Sequence, residues 1–288
     1  MHAPKPGIFL FGFLFALLGC QPASSQEDAT LKDAITFYAS FDEGFKADYA
    51  AGDPVLYTVP SWNMDSTITV IDGSEGLVER LASGGKSGGA LRFSTNWDPV
   101  VFYKAVDNVR YEEENWSGSF SFWLRVDPEE GLQRGYSDPF IISDKNWDNA
   151  SFYVDFTQDT PRTFRFASFS DYWSWNPEGL AWNDVPVEDR PMVEVKEMPF
   201  SAAEWTHVVL TFESVNAEGS QGVMKGYLNG EAMGTLTRDI SISWETERVI
   251  MSVGRHYTGD LDDLSIYNRA LTPEEVKKLY STPVIDLL

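Results

Sequence analysis

The strongest indication of the fold is the stretch Met251-Ser-Val-Gly-Arg-His-Tyr-Thr-Gly-Asp-Leu-Asp-Asp-Leu-Ser-Ile-Tyr267, which continues without a break into Asn268-Arg-Ala-Leu-Thr-Pro-Glu-Glu-Val-Lys-Lys-Leu-Tyr280. The first part has the apolar alternation of two strands around a polar turn. In the second part Thr272 suits a helix cap, Pro273 suits the first helical position, and Glu275 completes a capping box. The stretch therefore predicts a strand pair followed by one short helix.

The predicted helix has one apolar face, formed by Val276, Leu279 and Tyr280. Leu271 is placed to form a hydrophobic staple with Val276. Because so short a helix is not stable alone in water, it must dock on a larger body.

That larger body is predicted to be all-β, because apolar residues alternate with a period of two between clusters of Gly, Pro, Asn and Asp. No helical pattern longer than the C-terminal one is present. The clearest strands are Ile35 to Phe41, Gly89 to Ser94, Ser119 to Val126, Ser151 to Phe156, Thr163 to Ala167, Trp205 to Phe212 and Val249 to Val253.

Two local patterns add detail to this prediction. In the third strand Phe120, Phe122 and Leu124 share one face, which is expected in the core, and the alternate face that carries Trp123 is expected to be wetter. The Asn229-Gly230 pair is the strongest hairpin signal in the chain.

Five further segments, in matching order, and the C-terminal stretch together resemble the LamG-like (laminin G/pentraxin) branch of the concanavalin A-like lectin/glucanase superfamily. The resemblance implies an antiparallel β-sandwich of jelly-roll type with one short C-terminal helix, spanning residues 34–281 and followed by a tail at 282–288. Long insertions near 95–117 and 168–199 depart from the compact family pattern. The matching segments are Phe37 to Asp48, Gly88 to Phe93, Phe120 to Val126, Trp205 to Leu210 and Gly226 to Gly230.

The N-terminal region predicts export and a lipid anchor. Lys5 precedes an apolar run at 8–18 that is short for a membrane span and typical of a signal peptide. The run ends in Leu17-Leu-Gly-Cys20, which resembles a bacterial lipobox. We therefore predict a signal peptide at 1–19, lipidation at Cys20, a flexible tether at 20–33, and attachment to the cell envelope, at the outer membrane of a Gram-negative bacterium. An ordinary cleaved signal peptide with an incidental cysteine is the alternative.

Charge and cysteine content exclude several classes of partner and site. The formal net charge of -22 disfavours nucleic acid and anionic lipid surfaces, so contact with a membrane is expected only through the N-terminal lipid. It also disfavours strongly anionic polysaccharides unless a cation bridges the two. Cys20 is the only cysteine, so a monomer has no internal disulfide or cysteine-based metal site.

The resemblance implies a calcium site where the first and last strands meet. Carboxylates and loop carbonyls are the hard oxygen ligands that Ca²⁺ prefers. Asp42, Asp48 and Asp262 are the expected ligands, with weaker support for Asp260 and Asp263. The alternative is that Asp42 and Asp262 only cap turns or accept backbone N–H bonds.

The second insertion has the composition of a sugar-binding surface, because sugars pack apolar C–H faces on aromatic rings and hydrogen-bond to amides and carboxylates. The alternative is that the rings pack inward and pin a long loop to the sandwich. Trp97 and Trp147 are weaker candidates elsewhere. The candidate residues of the insertion are Tyr172, Trp173, Trp175, Asn176, Trp182, Asn183 and Asp184.

Catalysis has less support in the sequence. His207 lies within a strand and is expected to be structural. Arg255, His256 and Tyr257 have the residue types of a polysaccharide lyase, although the combination is unspecific. We therefore predict non-catalytic carbohydrate binding with a structural calcium ion. A polysaccharide lyase or glycoside hydrolase on the same scaffold, and a surface adhesion protein that binds another protein, remain open as alternatives.

Overall fold

The computed structural model describes residues 1–2, 31–62, 65–95 and 99–288. Residues 31–34 are helical, and two further α-helices follow later, α1 (Tyr172–Trp175) and α2 (Pro273–Ser281). The strands, in chain order, are β1 (Ile35–Ala39), β2 (Tyr49–Ala50), β3 (Tyr57–Val59), β4 (Thr69–Val70), β5 (Glu79–Leu81), β6 (Ala90–Phe93), β7 (Val100–Lys104), β8 (Trp116–Arg125), β9 (Ser137–Ser143), β10 (Ser151–Phe156), β11 (Phe164–Phe169), β12 (Met192–Val195), β13 (Thr206–Val215), β14 (Gly222–Leu228), β15 (Glu231–Arg238), β16 (Ile250–Arg255) and β17 (Gly259–Tyr267).

The strands form two antiparallel sheets. In the described residues the first sheet has the order β15-β14-β13-β8-β17-β1-β2, and β6 pairs with both β17 and β5. The second sheet has the order β12-β11-β10-β9-β16-β7-β3-β4. The first strand thus lies beside the last one, with Tyr38 opposite Ser265. This arrangement confirms the predicted antiparallel β-sandwich.

The main core lies between the sheets and is rich in aromatic rings. Phe120 and Phe122 of β8 pack against Phe140 of β9, with ring centres 4.8 and 5.4 Å apart. Trp116 is fully buried and makes an edge contact at 4.5 Å with Phe212. Alternation places these side chains inward, and the burial of such large apolar surfaces is the main force that holds the two sheets together.

The C-terminal helix α2 has the predicted cap. The hydroxyl of Thr272 accepts from the Glu275 amide at 3.2 Å, and the Thr272 amide donates to the Glu275 carboxylate at 2.8 Å. Val276 and Leu279 are buried, and they pack on the outer face of the first sheet in a cluster that includes Leu271.

This helix corrects the prediction of a wetter face on β8. Ser119, Ser121 and Trp123 are all at most 4% exposed, because the C-terminal segment covers them. Trp123 stacks at 5.7 Å on Tyr280 of α2. The polar alternation of β8 therefore marks a second, smaller interior rather than a solvated surface.

The hairpin predicted at Asn229-Gly230 joins β14 to β15. Both residues have positive φ, 50° and 82°, which is the conformation of the two-residue turns that match strand twist. Leu228 pairs directly with Glu231 across this turn.

The predicted signal peptide, lipidation at Cys20 and most of the tether lie outside the described residues. Helices of sufficient length and hydrophobicity to span a bilayer are absent from the residues that the structure describes. The predicted domain boundaries stay predictions.

Candidate functional site

A cleft of about 270 Å³ opens on the face of the second sheet that points away from the main core. Four neighbouring strands, β16, β9, β10 and β11, form its floor, and the loops around 147 and 182 form its wall. We call it the aromatic cleft. Its lining consists of Tyr136, Asp138, Ile141, Trp147, Tyr153, Asp155, Arg165, Trp182, Arg255 and His256.

Strand register aligns four charged side chains across the floor of the cleft. Arg165 lies opposite Asp155, and Arg255 lies opposite Asp138. Between β9 and β10 the register shifts, so that two residues, Asp138 and Pro139, oppose the single residue Asp155. This bulge turns Asp138 out of the apolar alternation and towards the cleft.

The Asp155–Arg165 pair is buried on the floor of the cleft. The side chains are 2% and 4% exposed. The Arg165 guanidinium donates a hydrogen bond to each carboxylate oxygen of Asp155, with a distance of 2.8 Å from Nε to Oδ1. Burial works against the charged form of Arg165, but the Asp155 carboxylate more than offsets this and raises the arginine pKa. The geometry is the bidentate one that fixes both side chains.

Asp138 has different surroundings. Burial raises its pKa to about 7, the charge of Asp155 adds to this rise, and Arg255 and Arg165 oppose it. The Arg255 guanidinium lies 5.0 Å from the ring centre of Trp62. Within the described part of the chain, neither Asp138 nor Arg255 makes a side-chain hydrogen bond or an ion pair. The cleft thus holds one satisfied charge pair beside one pair that has hydrogen-bonding capacity to spare.

The aromatic wall is fixed by contacts among its own members. Trp182 meets Trp147 edge-on at 5.4 Å, and the guanidinium of Arg190 lies 4.5 Å from the Trp182 ring centre. Arg165 lies 5.8 Å from the same ring and 5.1 Å from Tyr136. These cation–π contacts hold the rings upright at the edge of the cleft.

The structure separates the aromatic residues that the sequence grouped in the second insertion. Trp173 is 70% exposed on α1, whereas Trp175 is 9% exposed and donates its indole N–H to Asp148. Trp173 and Trp175, both candidates for the predicted sugar-binding surface, therefore do not lie on one surface, since residues two apart on a helix face different directions. Asn176 is buried and bonded to Leu180, which makes it a structural residue of this loop.

Other residues of the insertion also divide between interior and surface. Tyr172 is partly buried and accepts a hydrogen bond from Asn176, while Asn183 and Asp184 are exposed beside Trp182. Of the seven candidate sugar-binding residues of the insertion, the lining of the aromatic cleft includes only Trp182. Trp97 lies outside the described residues.

The predicted catalytic trio is not brought together as one site. Arg255 and His256 line the aromatic cleft, but Tyr257 is fully buried and its hydroxyl donates to the Asp260 carbonyl at 3.0 Å. The structure therefore removes Tyr257 as an acid for lyase chemistry. His207 is buried as expected, with Nε2 placed 2.8 Å from the Ser121 hydroxyl.

A second candidate site lies where the first and last strands meet. We call Asp42, Asp48, Asp262 and Asp263 the acidic cluster. One oxygen of Asp42 accepts from the Gly89 amide at 2.6 Å, and one oxygen of Asp48 accepts from the Ser40 amide at 2.7 Å. The second oxygen of each carboxylate makes no hydrogen bond to the described residues, so both are available to a cation.

The other two members of the acidic cluster are buried. Asp262 accepts from the amides of Lys86 and Asp263, whereas Asp263 accepts from the Tyr38 hydroxyl at 2.6 Å. Burial raises the pKa of Asp262 to about 8 and that of Asp263 to about 6, with further contributions from neighbouring carboxylates. The loop at 85–89 wraps so closely that a Cβ on Gly88, where φ is 80°, would lie 2.1 Å from Asp42 Oδ1.

The acidic cluster fits the oxygen chemistry of calcium, but not as a site built from side chains alone. Within the described ranges, no three His, Cys, Asp or Glu side chains are arranged to hold a metal ion. A cation there would need loop carbonyls or water in addition, which Ca²⁺ accepts readily. Asp260 is not available to it, because Arg92 and Arg125 both bind its carboxylate at 2.7 Å.

Comparison with known families decides the classification. The model of the concanavalin A-like lectin/glucanases superfamily matches residues 103–277, which is more than half of the chain. This chain belongs to that superfamily. The match runs from β7 to α2 and so includes every charged residue of the aromatic cleft. No curated protein sequence matches the chain.

Solved structures of low sequence identity share the superfamily fold. Domain 4 of AbnA, a GH43 extracellular arabinanase from Geobacillus stearothermophilus solved in complex with arabinotriose, has a TM-score of 0.53 and 19% identity, covering 86% of this chain and 98% of that domain. The botulinum neurotoxin serotype D binding domain has a TM-score of 0.55 and 11% identity, covering 88% and 52%. The binding domain of Paraclostridial Mosquitocidal Protein 1 has 0.50 and 15%, covering 87% and 52%. This chain spans about half the length of the two toxin domains.

Asp138, Asp155 and Arg165 were not among the residues predicted from the sequence. A signal for two of them was present, because Asp155 and Arg165 each interrupt an otherwise apolar strand. A charged residue buried within such a strand needs a partner on the adjacent strand, and the two are directly opposite in the register. Asp138 had no comparable signal, since the bulge that exposes it depends on pairing between strands.

Proposed function

We propose that this chain is a non-catalytic carbohydrate-binding protein and that the aromatic cleft is its ligand site. The observation that carries the proposal is the cleft itself, which combines aromatic walls with buried, oriented charges. Small-molecule sites in proteins have this character, a mostly apolar lining with a few convergent polar groups. The matching domain of the arabinanase, solved with arabinotriose, supports a sugar as the ligand class.

The cleft explains sugar binding better than the exposed Trp173 does. A lone exposed ring offers one face and no oriented hydrogen bonders, whereas the cleft places Asp138 and Arg255 within the same cavity as the rings. Sugars need both kinds of contact. Their C–H faces pack on aromatic rings, and their hydroxyls need protein partners that replace the hydrogen bonds they made to water.

Replacing the wall of the cleft should abolish glycan retention. We expect Trp147→Ala and Trp182→Ala each to weaken binding at least tenfold, or about 1.4 kcal/mol, because the sugar loses a packing surface and the cleft opens to water. The measurement is affinity gel electrophoresis of the chain from residue 21 onward against a panel of neutral and acidic polysaccharides.

The matched control is Trp173→Ala, which removes a tryptophan from the same insertion but outside the cleft lining. It should leave retention unchanged, and thermal melting should show that all three variants fold. Loss of retention in Trp173→Ala alone would place the site on α1 and contradict the proposal. Retention by the wild type with no effect of any variant would exclude the cleft as well.

Hydrolysis is the second candidate function, and Asp138 is the observation that favours it. A carboxyl group with a pKa near 7 beside a second carboxylate resembles the acid and base pair of glycosidases. The same panel tests this, since incubation with each glycan and assay of reducing ends would detect products. Product release that disappears in Asp138→Asn would replace the binding proposal with an enzyme.

We also propose that a calcium ion binds at the acidic cluster and holds the two ends of the chain together. The free oxygens of Asp42 and Asp48 and the second oxygen of Asp263 would contribute, with carbonyls of the 85–89 loop. Asp262 would anchor the loop instead, since backbone amides already occupy its two oxygens. A divalent ion there would offset carboxylates that otherwise repel one another.

Calcium should therefore raise the melting temperature. At a concentration about 100 times the Kd, binding to the folded state alone contributes about 2.7 kcal/mol, which is about 5–10 °C for a domain of this size. Differential scanning fluorimetry with calcium and with chelator measures the shift. Asp42→Asn and Asp48→Asn preserve an acceptor oxygen for the backbone bonds and should lose the calcium response.

The outcome without a bound ion is distinct. In that case both Asn variants relieve charge repulsion and should melt at or above the wild-type temperature in chelator, and calcium should shift none of the three proteins. That result would sink the calcium proposal.

Attachment to the cell envelope through Cys20 completes the proposal and rests on the sequence pattern alone. A protein partner in place of a glycan is the outcome to consider if no glycan in the panel is retained.

A further inference from the structure

Three polar groups in the aromatic cleft have unused hydrogen-bonding capacity. The hydroxyl of Tyr153 is buried and has no hydrogen-bond partner in the described residues. Asp138 and Arg255, opposite each other in the register, likewise make no side-chain hydrogen bond there. Buried polar groups in native proteins are nearly always satisfied. The buried Tyr153 hydroxyl, beside the partly buried Asp138 and Arg255 that have hydrogen-bonding capacity to spare, therefore indicates a polar ligand in this cavity.

The chemistry of these groups selects the ligand. The carboxylate of Asp138 accepts hydrogen bonds, whereas the guanidinium of Arg255 only donates them, in a rigid planar fork. A sugar hydroxyl both donates and accepts hydrogen bonds. Two adjacent hydroxyls can therefore each donate to the Asp138 carboxylate and accept from the Arg255 guanidinium. A ligand carboxylate would satisfy Arg255 but would face the negative charges of Asp138 and Asp155.

The charges of the cleft floor and of the whole chain also bear on the choice of ligand. The four charged side chains of the cleft floor balance, with Asp138 and Asp155 against Arg165 and Arg255. The chain as a whole carries -22 and repels polyanions. Above pH 7, where Asp138 is ionised, the cleft is thus neutral within a strongly acidic protein, which favours a neutral ligand.

The size of the cavity limits how much of a glycan enters. At about 270 Å³ the cleft is slightly below the range of about 300–1,000 Å³ that drug-sized ligands occupy. A single sugar ring suits this volume, whereas a chain that passes through would need an open groove. The wall at Trp147 and Trp182 stands at one side of the floor.

We propose that the aromatic cleft binds one terminal ring of a neutral glycan, with two adjacent hydroxyls bridging Asp138 and Arg255 and a third group bonded to Tyr153. This inference rests on the proposed carbohydrate-binding function and adds its ligand class and binding mode. Asp155 and Arg165 act as positioning residues, because their mutual bond fixes the floor beside Asp138.

The test uses isothermal titration calorimetry on the chain from residue 21 onward. The probes are methyl glycosides of neutral hexoses and pentoses, the matching uronates, single-deoxy analogues, and mono- to tetrasaccharides of whichever neutral glycan the gel panel retains. We expect neutral rings to bind and uronates to bind at least tenfold more weakly. Removal of either bridging hydroxyl should also cost at least tenfold, because it takes one hydrogen bond from Asp138 and one from Arg255. Affinity should stay flat from one sugar to four.

Three variants separate this binding mode from the proposed function. Asp138→Asn and Arg255→Gln should each weaken binding at least tenfold, and Tyr153→Phe, which removes one hydroxyl only, should weaken it measurably. Arg248→Gln, an exposed arginine outside the cleft, is the control and should bind like the wild type. Thermal melting of each variant shows that it is folded.

The possible failures are distinguishable. If Trp147→Ala and Trp182→Ala lose binding while Asp138→Asn and Arg255→Gln retain it, the cleft is the site but the bridging mode is wrong. Tighter binding of a uronate, or affinity that rises with each added sugar, would also overturn the mode alone. Absence of binding to every glycan would overturn both this inference and the proposed function.

Discussion

Arg165→Met should destabilise the fold by about 3–5 kcal/mol, because it leaves the Asp155 carboxylate buried without its counter-charge. The pair is held by two hydrogen bonds, and both side chains are almost completely buried. Neither water nor salt can screen the stranded charge. The measurement is the free energy of unfolding from denaturant titration, with circular dichroism as the signal.

The double variant Asp155→Leu/Arg165→Met provides the decisive comparison. Replacement of a buried ion pair by apolar residues of similar volume is often neutral or stabilising, so the double variant should recover most of the loss. Arg248→Met breaks an exposed pair with Asp65 and should cost less than about 1 kcal/mol. An Arg165→Met protein as stable as this control would show that the pair is not electrostatically essential.

The same comparison bears on function. If the double variant is stable but binds glycan weakly, the pair is needed to position the cleft floor for binding and is not needed for the stability of the fold. Stability and binding would then report different roles of the same two residues, which single replacements cannot separate because they also destabilise the protein.

Features fixed by neighbouring residues in the sequence were predictable. The helix α2 follows from the cap residues Thr272, Pro273 and Glu275, and the Asn229-Gly230 turn follows from two residues that tolerate positive φ. The all-β class follows from alternation in strands such as β8 and β10, whereas the sandwich was implied by the family resemblance. Each of these depends on interactions within a few residues, so the sequence contains the whole signal.

The aromatic cleft was not predictable in this way, because its floor is assembled from four strands. Arg255, Asp138, Asp155 and Arg165 come together only through the register of β16, β9, β10 and β11. A shift of one residue would turn these side chains to the opposite face of the sheet. Sequence reasoning found Trp182 and Arg255 separately but had no means of placing them in one cavity.

The burial of β8 on both faces shows a related limit. Alternation of Ser119, Ser121 and Trp123 with apolar residues is equally consistent with a solvated face and with a polar interior under a helix. The C-terminal segment covers this face and makes it a polar interior. That segment lies about 150 residues later in the chain, and the Ser119 hydroxyl donates to its Arg269 carbonyl.

His207, in this second interior, should make the fold sensitive to mild acid. Burial lowers its pKa to about 3 from the ordinary 6.5, and the charge of Lys86 adds to this. The His207 ring lies 2.8 Å from the Ser121 hydroxyl, is tilted at 4.7 Å against Trp123, and stacks on Tyr280 at 6.1 Å. The folded protein therefore holds the imidazole neutral well below the pH at which the unfolded chain protonates it.

The sign follows from proton binding. Below pH 6.5 the imidazole is protonated in the unfolded state but stays neutral in the folded state. The contribution of His207 to stability is therefore fully present above pH 6.5 and is lost as pH falls towards 3. At about 1.4 kcal/mol per pH unit, the loss between pH 7.5 and pH 5 is about 2 kcal/mol, rising to about 4 kcal/mol at pH 3. His207→Gln removes the titration and should flatten this part of the profile.

The measurement is the difference in unfolding free energy between wild type and His207→Gln at pH 7.5, 6 and 5, with chelator present so that calcium does not contribute. The difference is needed because Asp262 and Asp263, whose pKa values are raised, favour the folded state as pH falls and act against the histidine. Those carboxylates are common to both proteins and cancel. Parallel profiles would show that His207 is protonated in the fold, which would require the Trp123–Tyr280 stack to open and admit water.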